Sequence, residues 1–488
     1  MAASGSAVAQ SAAEPYAPAW HWSREALRQL AGAGHLDAAW VAAAWPLARP
    51  RIAALFAEAA ATAEAAGDAG AAELARASLA RFREEFPEPR NGGVSLSGTL
   101  AAGWLGERGG LRAGQMEWED GVGWVYPGPR VRPAAGSAML EGRLDVSVAG
   151  WLSASAQPRW TGSGVDAGEA YVTLRADGAN AWLGRRALAL GPASGGGAVL
   201  TDAVAFDGAG VAPSGEGVRL PGPLRVLGPA RPVLLVARME RSGDVRRPWF
   251  TGMRLDFAPS SSFSFGFNRA ALFGGAGNEP VTPWRLLQMM IGLTDTDGKD
   301  SDFENQVASV DVALRASVAR VPLLFHAEWA FDDMGFGWTN VPGVVAGIEA
   351  ASLPGAPGVG VGLEHAWFDG HCCGNPPWYR HGGLGEGWTD RGVPLGHPLG
   401  GHGRETALTA RVAAPARGVF VSGRAYVRHR GEENLFAPDR EGGSVGGAVR
   451  GVVWAPRGVR LHAGIELERG DGWVSWRASL AAAVGAGR

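Results

Sequence analysis

The stretch Val459-Arg460-Leu461-His462-Ala463-Gly464-Ile465-Glu466-Leu467-Glu468 decides the fold. One parity is apolar, and the other carries Arg, His, Gly and Glu. A period of two belongs to a strand with one apolar and one polar face. The alternation recurs at 308–318, where Val310, Val312 and Leu314 alternate with Ser309, Asp311 and Arg315, and again at 321–329, 419–428 and 474–484. A soluble sandwich also alternates, but its strands average about five or six residues and its outward face is mixed. Here the segments run over about 10–14 residues with a purely apolar face, which suits strands crossing a bilayer at a tilt.

The connections alternate in length. Short turns are expected near 177–179, 228–231, 259–261, 319–320, 354–358, 415–417 and 456–458. Longer loops are expected at 189–217, 273–303, 333–341, 370–402 and 431–441. Short turns on one side and long loops on the other are the outer-membrane pattern, and walking the segments gives about 18 strands between Val94 and Val484. The fold class is therefore mainly β: a transmembrane antiparallel barrel over 91–488, with short turns in the periplasm and long loops at the cell surface.

A different period precedes it. Residues 20–90 read as a small helical bundle, expected in the periplasm. Ser23 caps a first helix bearing Leu27 and Leu30, and Gly34 ends it. Ile52, Leu55, Phe56 and Ala59 line one face of a second helix. Asp68 caps a third, with Leu74, Ser78 and Phe82 inward, and Pro87 and Pro89 end the region. Residues 1–19 read as a linker or the remnant of an export signal, because Ala7-Val8-Ala9 has the small-x-small form of a cleavage site.

Composition narrows the function. A net charge of −3, from 45 basic and 48 acidic side chains, gives no electrostatic pull toward nucleic acid. The 75 glycines are about double the usual share. The two cysteines, Cys372 and Cys373, are adjacent and exclude a disulfide-stapled scaffold. Gly442-Gly443-Ser444-Val445-Gly446 matches a nucleophile elbow, but it opens a strand instead of joining strand to helix. No catalytic residues, no enzyme activity and no cofactor are expected. Asp295, Asp297, Asp300, Asp302 and Glu304 form an acidic loop, a weak calcium candidate that lacks the EF-hand order.

Loop 370–402 carries Trp378, Tyr379 and Trp388 with Arg380, Asp390 and Arg391. Aromatic faces beside polar forks suit saccharide rings, so Trp378, Tyr379, Arg380, Trp388 and Asp390 are the candidate polysaccharide-binding residues. The same aromatics would equally serve an interfacial girdle or pin the loop. On the lumenal face, Arg143, Arg238, Arg254, Arg315, Arg411, Arg424, Arg450 and Arg477 are interspersed with Asp145, Asp256, Asp311, Glu328 and Glu466. Such a lining makes either an ion-pair network or the wall of a diffusion porin for sugars or anions.

The chain as a whole resembles the capsule assembly Wzi family of outer-membrane proteins. The helical region is similar in the order Leu27, Leu30, Gly34, Trp45-Pro46-Leu47, Ile52. The barrel is similar at Gly191-Pro192, at Gly266-Phe267-Asn268-Arg269 with Gly274-Gly275, and at Asn305-Gln306 with Ala308 and Asp311. It is also similar at Asn375, Tyr379-Arg380-His381 and Gly392-Val393-Pro394-Leu395-Gly396 with Gly400-Gly401 and Gly403. The resemblance implies an 18-stranded barrel with a periplasmic bundle. It also implies a lectin-like role, with capsular polysaccharide or exopolysaccharide and outer-membrane lipid as partners.

Overall fold

The computed structural model describes residues 21–87, 94–108, 137–148, 151–161, 164–176, 178–242, 245–276, 281–291, 304–319, 321–332, 342–370, 378–380, 387–390 and 393–487. Eighteen antiparallel strands form one closed sheet: β1 (Val94–Arg108), β2 (Ser137–Val148), β3 (Leu152–Thr161), β4 (Gly164–Ala176), β5 (Ala179–Ala187), β6 (Ala205–Pro213), β7 (Pro229–Arg238), β8 (Trp249–Ser260) and β9 (Phe263–Phe273), followed by β10 (Glu304–Val318), β11 (Val321–Asp332), β12 (Pro342–Ala350), β13 (Val359–Phe368), β14 (Gly403–Ala414), β15 (Val419–Arg430), β16 (Gly442–Trp454), β17 (Val459–Gly470) and β18 (Trp473–Gly487). The pair Val218–Arg219 continues β6 along β7. Closure joins β1 to β18, with Leu100 opposite Val484 and Gly103 opposite Ala481. A barrel leaves no strand edge unpaired, which is what lets a sheet cross lipid.

The alternation fixes the register. Along β10, Val310, Val312 and Leu314 face outward and are exposed, while Ser309, Asp311 and Ala313 are buried inside. Along β17, Leu461, Ile465 and Leu467 face outward, and Arg460 and Glu468 inward. Trp104, Trp160, Trp329 and Trp367 are also exposed on the outside, each in the half of its strand nearer the long loops. They form the aromatic girdle expected at a membrane interface. The strands thus show an apolar belt of transmembrane type.

Two expectations change. The loop expected at 189–217 contains strand β6, whose outward parity carries Asp207, so the apolar alternation is interrupted and hidden. Arg238 is not lumenal. On β7 the inward parity holds Arg231, Val233, Leu235 and Ala237, so Arg238 faces outward, with its guanidinium 4.0 Å from the Trp249 ring.

The helices are α1 (Trp22–Ala33), α2 (Ala39–Ala42), α3 (Arg49–Ala65), α4 (Ala69–Glu85) and α5 (Pro283–Ile291). The cap of α1 is His21, not Ser23: its Nδ1 accepts the Ser23 amide, and Ser23 lies inside the first turn. Gly34 ends α1 with φ 101°, and Asp68 caps α4 by accepting from the Ala71 amide at 2.9 Å. Ile52, Leu55, Phe56 and Ala59 are fully buried, as their spacing requires. The bundle does not stand apart from the barrel; it closes the short-turn end. Ala38 N–H donates to Ser261 O at 2.9 Å, Gln29 Nε2 to Gly358 O at 3.2 Å and Arg81 Nε to Pro415 O at 3.1 Å. Gly32 has to lack a side chain, because a Cβ there would come within 2.2 Å of the Ala351 Cβ. Trp22 meets Trp454 edge-on at 5.2 Å, so helix and barrel share one apolar cluster.

The register yields a direct expectation. Val310→Arg and Ile465→Arg, near strand centres and outward, should each destabilise the barrel by about 2–4 kcal/mol. Denaturant titration in lipid vesicles measures this; equal tolerance of arginine at outward and inward apolar sites would show that the register is shifted.

Candidate functional site

A ladder of buried charges runs through the lumen. Arg411 pairs with Glu25 of α1 and, through Nη1, with Glu349 at 2.8 Å. Arg28 of α1 grips both oxygens of Glu349 through Nε, at 2.8 and 2.9 Å. Its Nη2 donates to His326 Nδ1 at 3.2 Å, and His326 Nε2–H donates to Glu364 at 2.9 Å. The rungs continue as Glu364–Arg424–Glu405–Arg428–Glu468–Arg430, and Arg430 Nε ends at Leu399 O in the long-loop region. Apart from Glu25, the carboxylates come from β12, β13, β14 and β17 and the guanidinium groups from α1, β14 and β15, and each charge meets its opposite across the lumen. A second group joins Arg254 to Asp311 at 2.6 Å, with Asn268 donating to Asp311 and Ser309 to Glu328.

The long connections fold inward onto this ladder. Segment 188–204 descends from β5 until Ala189 bridges Trp45, with N–H···O distances of 2.7 and 3.0 Å, and Arg28 reaches Pro192 O. Beyond that point its backbone caps two lumenal carboxylates: Ser194 and Gly195 N–H donate to Glu364 at 2.8 and 2.9 Å, and Ala198 N–H to Glu328 at 3.0 Å. This close approach explains Gly195, where a Cβ would come within 2.5 Å of a Glu364 carboxylate oxygen. The segment continues to the loop before β14, where Thr201 N–H donates to Leu395 O at 2.7 Å.

The candidate aromatics lie in this plug and not on its surface. Trp378, Tyr379 and Trp388 are each 0% exposed. Tyr379 OH donates to Ala198 O and accepts from His397 N–H; Trp388 Nε1 donates to Val199 O at 3.0 Å; Trp378 lies edge-on to Phe368 at 4.9 Å. None of the three offers a ring face to a saccharide. They fill the space between the inward segment and the barrel wall because burying three large rings is worth more than leaving them wet. Asp390 is also buried and accepts from the Glu240 N–H at 3.2 Å. Arg380 is half-buried and straps loop 431–441 by donating to Glu433 O and Asn434 O, both at 2.7 Å. Of the five expected residues, four are internal to the plug, and Arg380 lies at its rim with His402 and Glu433. Asp295, Asp297, Asp300, Asp302, Cys372, Cys373 and Arg391 lie outside the described residues, and Glu304 opens β10.

Several residues the site uses were hidden in the sequence. Glu349, Glu364 and Glu405 sit at inward parity and were readable as lumenal, but not as partners of α1 and segment 188–204. Ser444, in the nucleophile-like motif, is lumenal and donates to Glu468 at 2.7 Å. Between α1, α4 and the wall of β1–β3 and β16–β18 lies a cavity of about 110 Å³, lined by His21, Glu85, Arg143, Arg460 and His462 among others.

Trp388→Ala should loosen the plug by about 3–5 kcal/mol, as large buried aromatics do when truncated. Limited proteolysis should then cleave loop 370–402 while the barrel stays folded; unchanged cleavage would contradict the plug. Acid should act in the same direction. Burial pushes the His397 imidazole down to about 4, and in the neutral form its Nδ1 accepts the Leu399 N–H. The unlocked loop takes up the proton first, near its ordinary value of about 6.5, so plug stability is full above that pH and falls between about 6.5 and 4. Loop cleavage should rise over that window in the wild type and less in His397→Gln.

The sequence profile described as Capsule assembly protein Wzi matches residues 132–415, more than half of the chain. No curated protein matches the chain. Among solved structures, the chain is similar to Wzi of Escherichia coli, an outer membrane protein involved in group 1 capsule assembly and described as a carbohydrate binding beta-barrel. The TM-score is 0.72 at 18% identity, covering 97% of this chain and 99% of that one. The Pseudomonas aeruginosa proteins OccK5 (OpdH) and OccK11 (OpdR) are more distant, with TM-scores of 0.48 and 0.49 at 9% and 10% identity. They cover 82% and 83% of this chain and 99% and 100% of their own. With a closed 18-stranded barrel, its helical bundle and a profile match over most of its length, the chain belongs to the capsule assembly Wzi family.

Proposed function

We propose that this protein is a non-enzymatic anchor for capsular or related surface polysaccharide, seated in the outer membrane with its bundle in the periplasm and its long loops at the cell surface. The observation that carries the reading is the filled lumen. Segment 188–204 and α1 meet inside the barrel, and the ion-pair ladder binds both to the wall. A diffusion porin needs the opposite arrangement, a wide lumen with charges facing water. Family membership, and the carbohydrate binding stated for the Escherichia coli relative, support the saccharide as ligand.

The binding surface in this reading is the rim of the plug, where Arg380, His402 and Glu433 stand partly exposed above the buried aromatics. Charged forks of this kind hydrogen-bond sugar hydroxyls, while Trp378, Tyr379 and Trp388 hold the rim in shape. A single rim contact is weak, and a polymer gains retention by meeting many barrels at once. No reaction is assigned, because Ser444 faces a carboxylate and has no histidine base beside it among the described residues.

The test pairs polysaccharide retention with conductance. His402→Ala with Glu433→Gln should lower retention on cells by roughly tenfold, since multivalency amplifies a small loss per site, without opening a channel. Trp378, Tyr379 and Trp388 changed together to Ala should lower retention and also admit current in planar bilayers. Wild-type protein giving large, stable single-channel steps, or full retention by the rim variant, would overturn the anchor reading.

A further inference from the structure

Outside the barrel, near its long-loop end, α5 lies against the wall. Ala271 and Phe273 sit at outward positions of β9 yet are buried, and they cluster with Trp249 of β8 and with Val281 and Leu286 of the α5 region. Leu286 of α5 thus faces the barrel. Trp284 and Leu287 point away from it and are 63% and 45% exposed. A helix pressed on the outer wall with Trp and Leu turned outward has the character of an interfacial helix.

Beside it stands a group of cations. Arg238 faces outward and lies over the ring of Trp249, which itself packs against the Ala271–Phe273 cluster. Its guanidinium donates to Arg247 O, which brings Arg247 alongside, and Arg246 O accepts Ala276 N–H at 2.8 Å on the approach to α5. Arg246 and Arg247 are exposed. Arg247 holds φ at 51°, an unfavourable backbone for arginine. The nearby acids are committed elsewhere: Asp207 forks onto Arg185 with both oxygens at 2.7 Å, and Glu240 lies 3.7 Å from Arg185. Among the described residues, no carboxylate forms an ion pair with Arg238, Arg246 or Arg247. Three unpaired arginines at the level of the tryptophan girdle would repel one another unless an anion joins them.

We propose that this rim is a binding site for a phosphorylated glycolipid of the outer leaflet. The lipid phosphates bridge Arg238, Arg246 and Arg247, and Trp284 and Leu287 of α5 lie among its acyl chains. Arginine matches phosphate oxygens through paired N–H donors, and the Trp249 ring beneath Arg238 fixes one guanidinium in place. The leaflet assignment rests on the orientation adopted in the proposed function; the binding chemistry does not. The lipid would pin the barrel at a set depth and keep the surface loops at a constant height.

The experiment uses the full chain in detergent micelles, with native mass spectrometry and titration of bisphosphorylated lipid A, its phosphatase-treated form and inorganic phosphate. Arg238→Gln, Arg246→Gln and Arg247→Asn are combined, Asn being chosen because it accepts positive φ. The triple variant should bind bisphosphorylated lipid A on the order of a hundredfold more weakly. The phosphate-free lipid should bind the wild type with a similar loss. Trp284→Ser with Leu287→Ser should weaken both lipids, and heat-modifiable migration checks that every variant is folded. Undiminished binding by the triple variant, equal affinity for the phosphate-free lipid, or binding of inorganic phosphate without preference for the lipid would overturn the site. Loss of polysaccharide retention in the triple variant with lipid binding intact would also overturn it, by assigning the cations to a surface polymer. Binding in micelles does not depend on which way the barrel faces, so this proposal and the polysaccharide reading fail separately.

Discussion

The buried pairing of Arg28 and Arg411 with Glu349 is the interaction on which the rest of the lumen depends. Taking a carboxylate and two guanidinium groups out of water costs several kcal/mol per ion, and only close, multiple hydrogen bonding offsets that cost. Glu349 receives donors on both oxygens, and its partners come from a helix and from a strand two places away in the barrel. The arrangement therefore adds little net stability compared with an apolar core, but it is selective. Any shift of α1 along or around its axis would strand a charge, so the helix has one seat. The same logic propagates along Glu364, Glu405 and Glu468, each held by Arg or His side chains from other strands of the wall.

From that seat the two ends of the barrel become one object. Helix α1 holds Pro192, segment 188–204 holds the Glu364 and Glu328 carboxylates, and the same segment receives Tyr379 and Trp388 from the opposite loop. The plug is mixed in character: apolar rings gather toward the long loops, while the ion pairs run from the helices up to Arg430 at that same end. The mixture follows from water access. The aromatics seal the layer that surface water would otherwise enter, and the charges below them are then paired in a dry environment where attraction is strong.

The strands of the barrel were legible because a period of two survives any change of partner. Val459–Gly470 could be read correctly without knowing what lies beside it. Strand β6 was not, since Ala205–Pro213 has Asp207 where an apolar residue would have marked the outward face. Arg238 was misplaced for a related reason: near a strand end both parities carry polar residues, and alternation no longer tells inside from outside. The candidate aromatics show a different limit. Composition identifies Trp378, Tyr379 and Trp388 as chemically capable of stacking on a sugar, but whether a ring faces water depends on segment 188–204, almost two hundred positions away in the chain. Only tertiary structure supplies that. The lumenal arginines lay between these cases, readable as facing inward but not as belonging to named partners.

The closure of β1 on β18 has a bearing on how the chain reaches this state. Arg28 and Glu349 are 321 positions apart, and Arg460 meets Thr99 across 361. Contacts of such separation reward the chain only after most of it has been ordered, which makes them late events in folding. Meanwhile the seam itself is lined by small residues: Gly98 and Gly103 on β1 face Ala486 and Ala481 on β18. The two strands made at opposite ends of the chain thus meet through small pairs, set among the larger Leu100–Val484 and Trp104–Leu480 pairs. The helices dock on one open end and the inward segment folds in from the opposite one, so neither has to cross the wall. The seam closes a tube whose two mouths are stoppered from outside it, the bundle at one and the folded connections at the other.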